Sequence, residues 1–305
     1  MSGGGGALPQ LIIRTKPLFL LEIMDTIGAN LQAVRQRIAI AAQAGGRNPD
    51  DIGLIAVSKT FGAAAVALAR KHGQTAFGES YAQEGVAKIA AAADPVLTSR
   101  IASAIHEDAS STSDARGPSA GVASPSETGP LLRPLEWHFI GPIQSNKTRM
   151  IAEHFDWVHS IDRLKIAQRL SAARAAGLAP LQVCIQVNIG AEHGKGGVAA
   201  GEALALARGV ATLPQLKLRG LMAIPPMSPD PVQQRRYFAQ LRQLRDALVS
   251  AGIALDTLSM GMSDDLEAAI AEGATLVRVG TAIFGPRQKT LATRNTEDSE
   301  KPVES

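Results

Sequence analysis

The chain has 305 residues, 45% of them hydrophobic, a formal net charge of +3 at pH 7 and a single cysteine, Cys184. That length allows one large α/β domain or two medium ones. One cysteine excludes an internal disulfide and fits a reducing, cytoplasmic compartment, and so small a charge excess argues against a nucleic-acid footprint or a membrane patch.

The apolar run from Pro17 to Met24 carries Glu22 and is too short to span a bilayer. No small-residue cleavage site follows it. Residues 1–24 are expected to form a poorly ordered extension. From Asp25 the pattern turns helical, with Ile27, Leu31, Val34, Ile38 and Ala42 on one face. Gly45-Gly46 ends that helix, and Asn48-Pro49-Asp50 makes a turn. A short apolar strand follows, Leu54-Ile55-Ala56-Val57, and then Ser58-Lys59-Thr60.

The alternation then repeats. Candidate strands are residues 75–78, 137–140, 157–161, 183–187, 218–223, 257–260 and 276–280, separated by alanine-rich helical stretches such as 164–176, 201–213 and 233–251. Near-continuous apolar strands between helices imply a parallel sheet covered on both faces. With the first strand, the pattern predicts a single-domain (β/α)8 TIM barrel over residues 25–287. No G-x-G-x-x-G follows the first strand, which weakens an open Rossmann sheet. One stretch breaks the rhythm. Residues 94–134, between the second barrel helix and the third strand, are rich in Ser, Ala, Gly, Pro and Thr. They read as a disordered insert on the bottom face. The polar tail 288–305 reads as disordered too.

Barrel chemistry gathers just past the C-terminal ends of the strands. Lys59 stands there after the first strand; such a lysine is either a surface residue or, if desolvated, a Schiff-base nucleophile. Two later loops look like phosphate cups. In Ser259-Met260-Gly261-Met262-Ser263-Asp264-Asp265, Gly261 permits close backbone approach and Ser263 is placed to cap the next helix. Gly280-Thr281 opens the segment after the eighth strand, and phosphate sites after strands seven and eight recur in this fold. Each loop is also compatible with a plain turn. Arg278 lies inside a strand and needs a partner whichever way it points. His138 reads as a core histidine more readily than as a catalytic one. His154 and His159 are not at metal-ligand spacing, and no metal site is expected.

Five ordered segments resemble one family. They are Leu54–Thr60, Phe77–Glu84, Trp137–Arg149, Ile185–Asn188, and Leu258–Asp265 taken with Val277–Gly285. They are similar to the motifs of the pyridoxal 5′-phosphate (PLP) homeostasis proteins, also called the proline synthase co-transcribed family. The resemblance covers roughly residues 25–286 outside the insert. It implies a monomeric or loosely associated barrel related to the N-terminal domain of alanine racemase. PLP would form a Schiff base on Lys59, with Arg278 at the pyridine nitrogen and Met222 close to the ring. Phosphate would be held near Ser259, Gly261, Ser263, Gly280 and Thr281. The family usually has Asn where this chain has Ser80, and the long insert is atypical.

The expected function is to hold PLP and take part in its intracellular homeostasis, exchanging it with apo PLP-dependent enzymes, without efficient catalysis. The alternative is an amino-acid racemase or related PLP enzyme. Racemisation needs a second acid/base opposite the lysine. The sequence stops soon after the eighth strand, and its two tyrosines, Tyr81 and Tyr237, sit in no racemase-like motif. No catalytic residue is therefore assigned.

Overall fold

The structure is a computed structural model that describes residues 17–94 and 134–286 except His193 and Lys195, with side chains from residue 26 onward. The disorder expected of residues 1–24, 94–134 and 288–305 therefore falls, at 1–16, 95–133 and 288–305, outside the described residues. All eight expected strands are present: β1 (Gly53–Val57), β2 (Ala76–Glu79), β3 (Glu136–Phe139), β4 (Trp157–Ile161), β5 (Leu181–Gln186), β6 (Leu216–Met222), β7 (Thr257–Ser259) and β8 (Leu276–Val279). Each pairs in parallel with the next, and β8 closes onto β1 with Gly53 opposite Leu276 and Ala56 opposite Val279. The fold is a (β/α)8 barrel.

Strand residues alternate between two environments, as a period of two requires. Phe77, Phe139, Val158, Val183, Leu221, Leu258 and Val277 belong to the main core shared with the helices. Burying each of these large side chains contributes about 1.5–3 kcal/mol. The other set fills the barrel: Ile55, His138, Trp157, His159, Cys184, Met222, Ser259 and Arg278, all buried.

The connecting helices are α1 (Pro17–Ala44), α2 (Ala63–Lys71), α3 (Ala82–Ala93), α4 (Thr148–His154), α5 (Leu164–Ala173), α6 (Ala203–Ala211), α7 (Pro231–Ser250), α8 (Leu266–Ala271) and α9 (Thr281–Phe284). The predicted face of α1 is the one buried: Ile27, Leu31, Val34, Ile38 and Ala42 are each at most 5% exposed. The helix differs from expectation at its start. Its backbone is helical from Pro17, so the extension expected over residues 1–24 gives way to helix eight residues early. Pro at a first helical position and the Leu, Glu and Met that follow are all compatible with continuing the helix. At the other end Gly46 takes φ +64°, and the Arg47 amide donates to the Ala42 carbonyl at 2.9 Å. This left-handed glycine closes the helix as predicted.

The floor of the barrel is closed. Trp157, Cys184 and Met222 pack together with Leu276. The Arg219 guanidinium lies 4.9 Å from the Trp157 ring centroid and is fixed by Asp256 and Gln182. Beneath this plug is a cavity of about 460 Å³ lined by Glu136, Asp156, Trp157, Arg174, Lys217 and Arg219, among others. Residues Asp94 and Pro134, which flank the insert, adjoin the end of α3 and the start of β3. They therefore lie at the N-terminal end of the barrel, opposite Lys59. Among the described residues no helix is long and apolar enough to cross a membrane.

Candidate functional site

Lys59 follows β1 at the C-terminal mouth and is half-buried. It occupies the second position of a four-residue turn in which the Phe61 amide donates to the Ser58 carbonyl at 3.0 Å. The third position, Thr60, has φ +70°, a region unfavourable for a side chain with a branched Cβ. Such a conformation persists only where its surroundings hold it. Here Glu84 accepts the Thr60 amide at 2.6 Å.

A buried ion-pair cluster supports this turn from below. The Lys88 ammonium, 7% exposed, lies 2.7 Å from both Glu79 Oε1 and Glu84 Oε1, and it donates to the Ser58 carbonyl at 2.6 Å. The Ser58 hydroxyl donates to the same Glu79 oxygen at 2.6 Å. Burial pushes the Glu79 carboxyl up from its usual range, against the pull of Lys88 and Ser58. Both residues flanking Lys59 are thus tied to one cluster. Glu79 and Glu84 lie in a segment that the sequence reading singled out only as a motif, and Lys88 was not singled out. The signal available was a lysine on α3 at i+4 from Glu84, which reads equally as an exposed helix pair. Ser80, at the end of β2, is half-buried, and its backbone lies directly against Gly141: a Cβ at Gly141 would fall 2.1 Å from the Ser80 carbonyl oxygen.

Arg278 points into the barrel. It is 4% exposed and donates to Ser259 Oγ at 2.7 Å and to the Ala223 carbonyl at 3.0 Å. Burial lowers its pKa to about 10, so it stays cationic near neutrality. Ser259 is fully buried, and its hydroxyl also contacts His159 Nδ1 at 2.8 Å. That hydroxyl is turned toward the barrel interior and away from the loop that was expected to hold a phosphate. Met222 is fully buried beneath the mouth, among Trp157 and Cys184. The Cys184 thiol is pushed up to about 12 by burial and is chemically quiet.

The two loops expected to cradle an anion come together. The Ser263 hydroxyl accepts the Ala282 amide at 3.4 Å, and the Arg278 amide donates to the Gly261 carbonyl at 2.9 Å. Gly261 has φ +94°, and a Cβ there would lie 2.6 Å from the Ala269 Cβ. Gly280 packs on β1, where an added Cβ would sit 3.3 Å from the Val57 carbonyl oxygen. Thr281 is exposed at the start of α9. The expectation that Ser263 caps the helix after β7 is corrected. Asp265 holds the N-cap position of α8, and its carboxylate accepts the Met262 amide at 2.5 Å. The loop runs two residues further than the sequence suggested, which leaves Ser263 free to bridge to α9.

Lys59, Arg278, Gly261, Ser263, Gly280 and Thr281 therefore share the C-terminal end of the barrel, with Ser259 and Met222 below. Among the described residues no His, Cys, Asp and Glu cluster has the makings of a metal site. The fold and the site together define its class: a parallel eight-stranded (β/α)8 barrel with a lysine and a buried arginine toward its C-terminal end.

Comparison with known proteins narrows that class. Residues 29–288 match the family described as alanine racemase, N-terminal domain. The chain is 52% identical over 264 residues to the pyridoxal phosphate homeostasis protein of Pseudomonas aeruginosa, covering 87% of this chain and 97% of that one. It is 47% identical over 264 residues to the Escherichia coli protein of the same name, covering 87% and 98%. Among solved structures it resembles PipY of Synechococcus elongatus with PLP bound, at 32% identity and a TM-score of 0.63, covering 85% of this chain and all of PipY (100%). The chain belongs to the pyridoxal phosphate homeostasis family, within the alanine racemase N-terminal-domain barrels.

Proposed function

We propose that this protein holds PLP at the C-terminal mouth as a Schiff base on Lys59 and serves intracellular PLP homeostasis in the cytoplasm, without efficient turnover. The observation that carries this reading is the half-buried Lys59, clamped on a turn at the same end of the barrel as the inward, buried Arg278. The residues fit the cofactor chemically. A lysine amine is the group that forms a Schiff base with an aldehyde. Gly261, Ser263, Gly280 and Thr281 would receive the phosphate, where the two loops meet. Met222 would lie below the ring.

When bound, PLP supplies an aldehyde that captures primary amines and a pyridine ring that withdraws electrons. Arg278 is a permanent donor, so it would hold the ring nitrogen as an acceptor and weaken that withdrawal. Ser259 acts toward the cofactor through Arg278. The relatives named above are called homeostasis proteins, which supports holding over turnover. Apo PLP-dependent enzymes are the proposed recipients.

Borohydride reduction of the PLP-loaded protein, followed by peptide mass mapping, tests the attachment. A pyridoxyl adduct on Lys59 is expected; one found chiefly on Lys147 or Lys195 would refute it. Incubation of the loaded protein with single amino-acid enantiomers in deuterated water tests the lack of turnover. Exchange of the Cα hydrogen at about 1 s⁻¹ or faster would overturn it in favour of a racemase or related enzyme.

A further inference from the structure

A line of polar side chains runs down the inside of the barrel from Arg278 to the lower cavity. Arg278 Nη1 lies 2.7 Å from Ser259 Oγ. Ser259 Oγ lies 2.8 Å from His159 Nδ1. His159 Nε2 lies 2.9 Å from His138 Nδ1. His138 Nε2 lies 2.7 Å from Glu136 Oε1, within ion-pair range though not aligned as a hydrogen bond. Ser259, His159 and His138 are fully buried, whereas the Glu136 side chain is 51% exposed at the lower mouth.

With one proton on each imidazole, the chemistry of the two ends gives the links a single direction. A guanidinium can only donate and a carboxylate can only accept. Ser259 accepts from Arg278, so its own proton is available for His159 Nδ1. His159 then carries its proton on Nε2 and gives it to His138 Nδ1. His138 in turn carries its proton on Nε2, facing Glu136. Each singly protonated imidazole is then an Nε2–H tautomer. Burial, with the nearby positive charge of Arg278, holds His159 well below its usual range. At the lower end Glu136 also faces Arg219, the Trp157 indole and Asp156, and its contact with His138 holds its carboxyl below the ordinary range against partial burial. Hydrogen bonds aligned in one sense polarise one another in a medium of low dielectric.

We propose that Glu136, through His138, His159 and Ser259, is a positioning residue for Arg278: the acceptor at the lower mouth fixes the histidine tautomers and thereby the polarity around the cofactor ring. This rests on the PLP reading only in its last link. The remaining links concern the chain's own residues.

The test has two arms. Histidine side-chain ¹⁵N–¹H spectra of the full-length protein without added PLP are expected to show His138 and His159 as neutral Nε2–H tautomers. Glu136→Met should alter the His138 and His159 signals, and Glu136→Gln, which keeps an acceptor oxygen, should largely restore them. An Nδ1–H tautomer at either histidine in the parent protein, or signals untouched by Glu136→Met, would overturn the proposal. In the second arm PLP is added. The absorbance maximum of the bound cofactor should shift in Glu136→Met and return toward the parent value in Glu136→Gln. No shift, with PLP bound, would overturn the reach to Arg278. Failure of the parent protein to bind PLP would instead refute the proposed function, and the histidine spectra would still decide the chain.

Discussion

Lys88 is the side chain whose surroundings differ most from what its type suggests. Its ammonium is buried with Glu79 and touches the carbonyl of the residue before Lys59. Removing one partner of a buried ion pair strands the other charge. Lys88→Met is therefore expected to destabilise the protein by about 3 kcal/mol, read from urea or thermal unfolding. It should also slow or weaken formation of the PLP–lysine absorbance, because Ser58 and Thr60 lose their shared anchor. Adding Glu79→Gln to Lys88→Met should cost less than the two single changes summed, since they remove the same pair. Full additivity would show that the pair is not coupled. None of this was legible in the sequence. Lys88 sits among alanines on an ordinary helix, and its partners come from β1, β2 and the start of α3. Lys59 itself was legible because it ends an apolar strand, where barrels place their chemistry. The histidine line was not, because its Ser259–His159 link joins residues 100 positions apart.

Among the elements, the strands were the most readable. Apolar runs of four to six residues, bounded by glycine and polar residues, fell on all eight strands because both faces of a parallel barrel strand are dry. The helix start at Pro17 was misjudged because propensity alone does not mark where a helix begins without a capping residue. The β7–α8 loop was misjudged for a related reason: Ser263 and Asp265 are both good caps, and only tertiary contact with α9 assigns them. That loop carries a sharp prediction. Gly261→Ala places a methyl group in a left-handed conformation and 2.6 Å from the Ala269 Cβ. The loop and α8 would have to part, at a cost of about 1–3 kcal/mol. Equilibrium titration with PLP should show weaker binding than the parent, with the far-ultraviolet circular dichroism preserved. Unchanged affinity would remove this loop from the proposed phosphate cradle.

For the molecule as a whole, the buried histidine sets a pH dependence whose sign can be worked out. In the unfolded chain a histidine titrates near about pH 6.5, while folded His159 is held well below that by burial. Below about pH 6.5 the unfolded chain binds a proton that the folded chain refuses, so this group favours unfolding as pH falls. Its contribution is flat above that pH and falls by about 1.4 kcal/mol per unit below it, until the folded residue also titrates. Glu79, Asp156 and Asp265 have carboxyls raised chiefly by burial and act in the opposite sense over their own, more acidic range. A variant cancels their contribution. The stability difference between pH 7.5 and 5.5 should be smaller in His159→Gln than in the parent, by about 1 kcal/mol. Equal differences would mean that His159 takes up a proton without unfolding.

The Trp157–Arg219 plug makes the barrel a cul-de-sac. On the proposed function, PLP would enter and leave by the rim near Lys59. An incoming amine and a departing cofactor would therefore share one doorway. A recipient enzyme would then have to wait at that doorway, and a body parked across it would act as a stopper, lengthening the cofactor's residence without touching its chemistry.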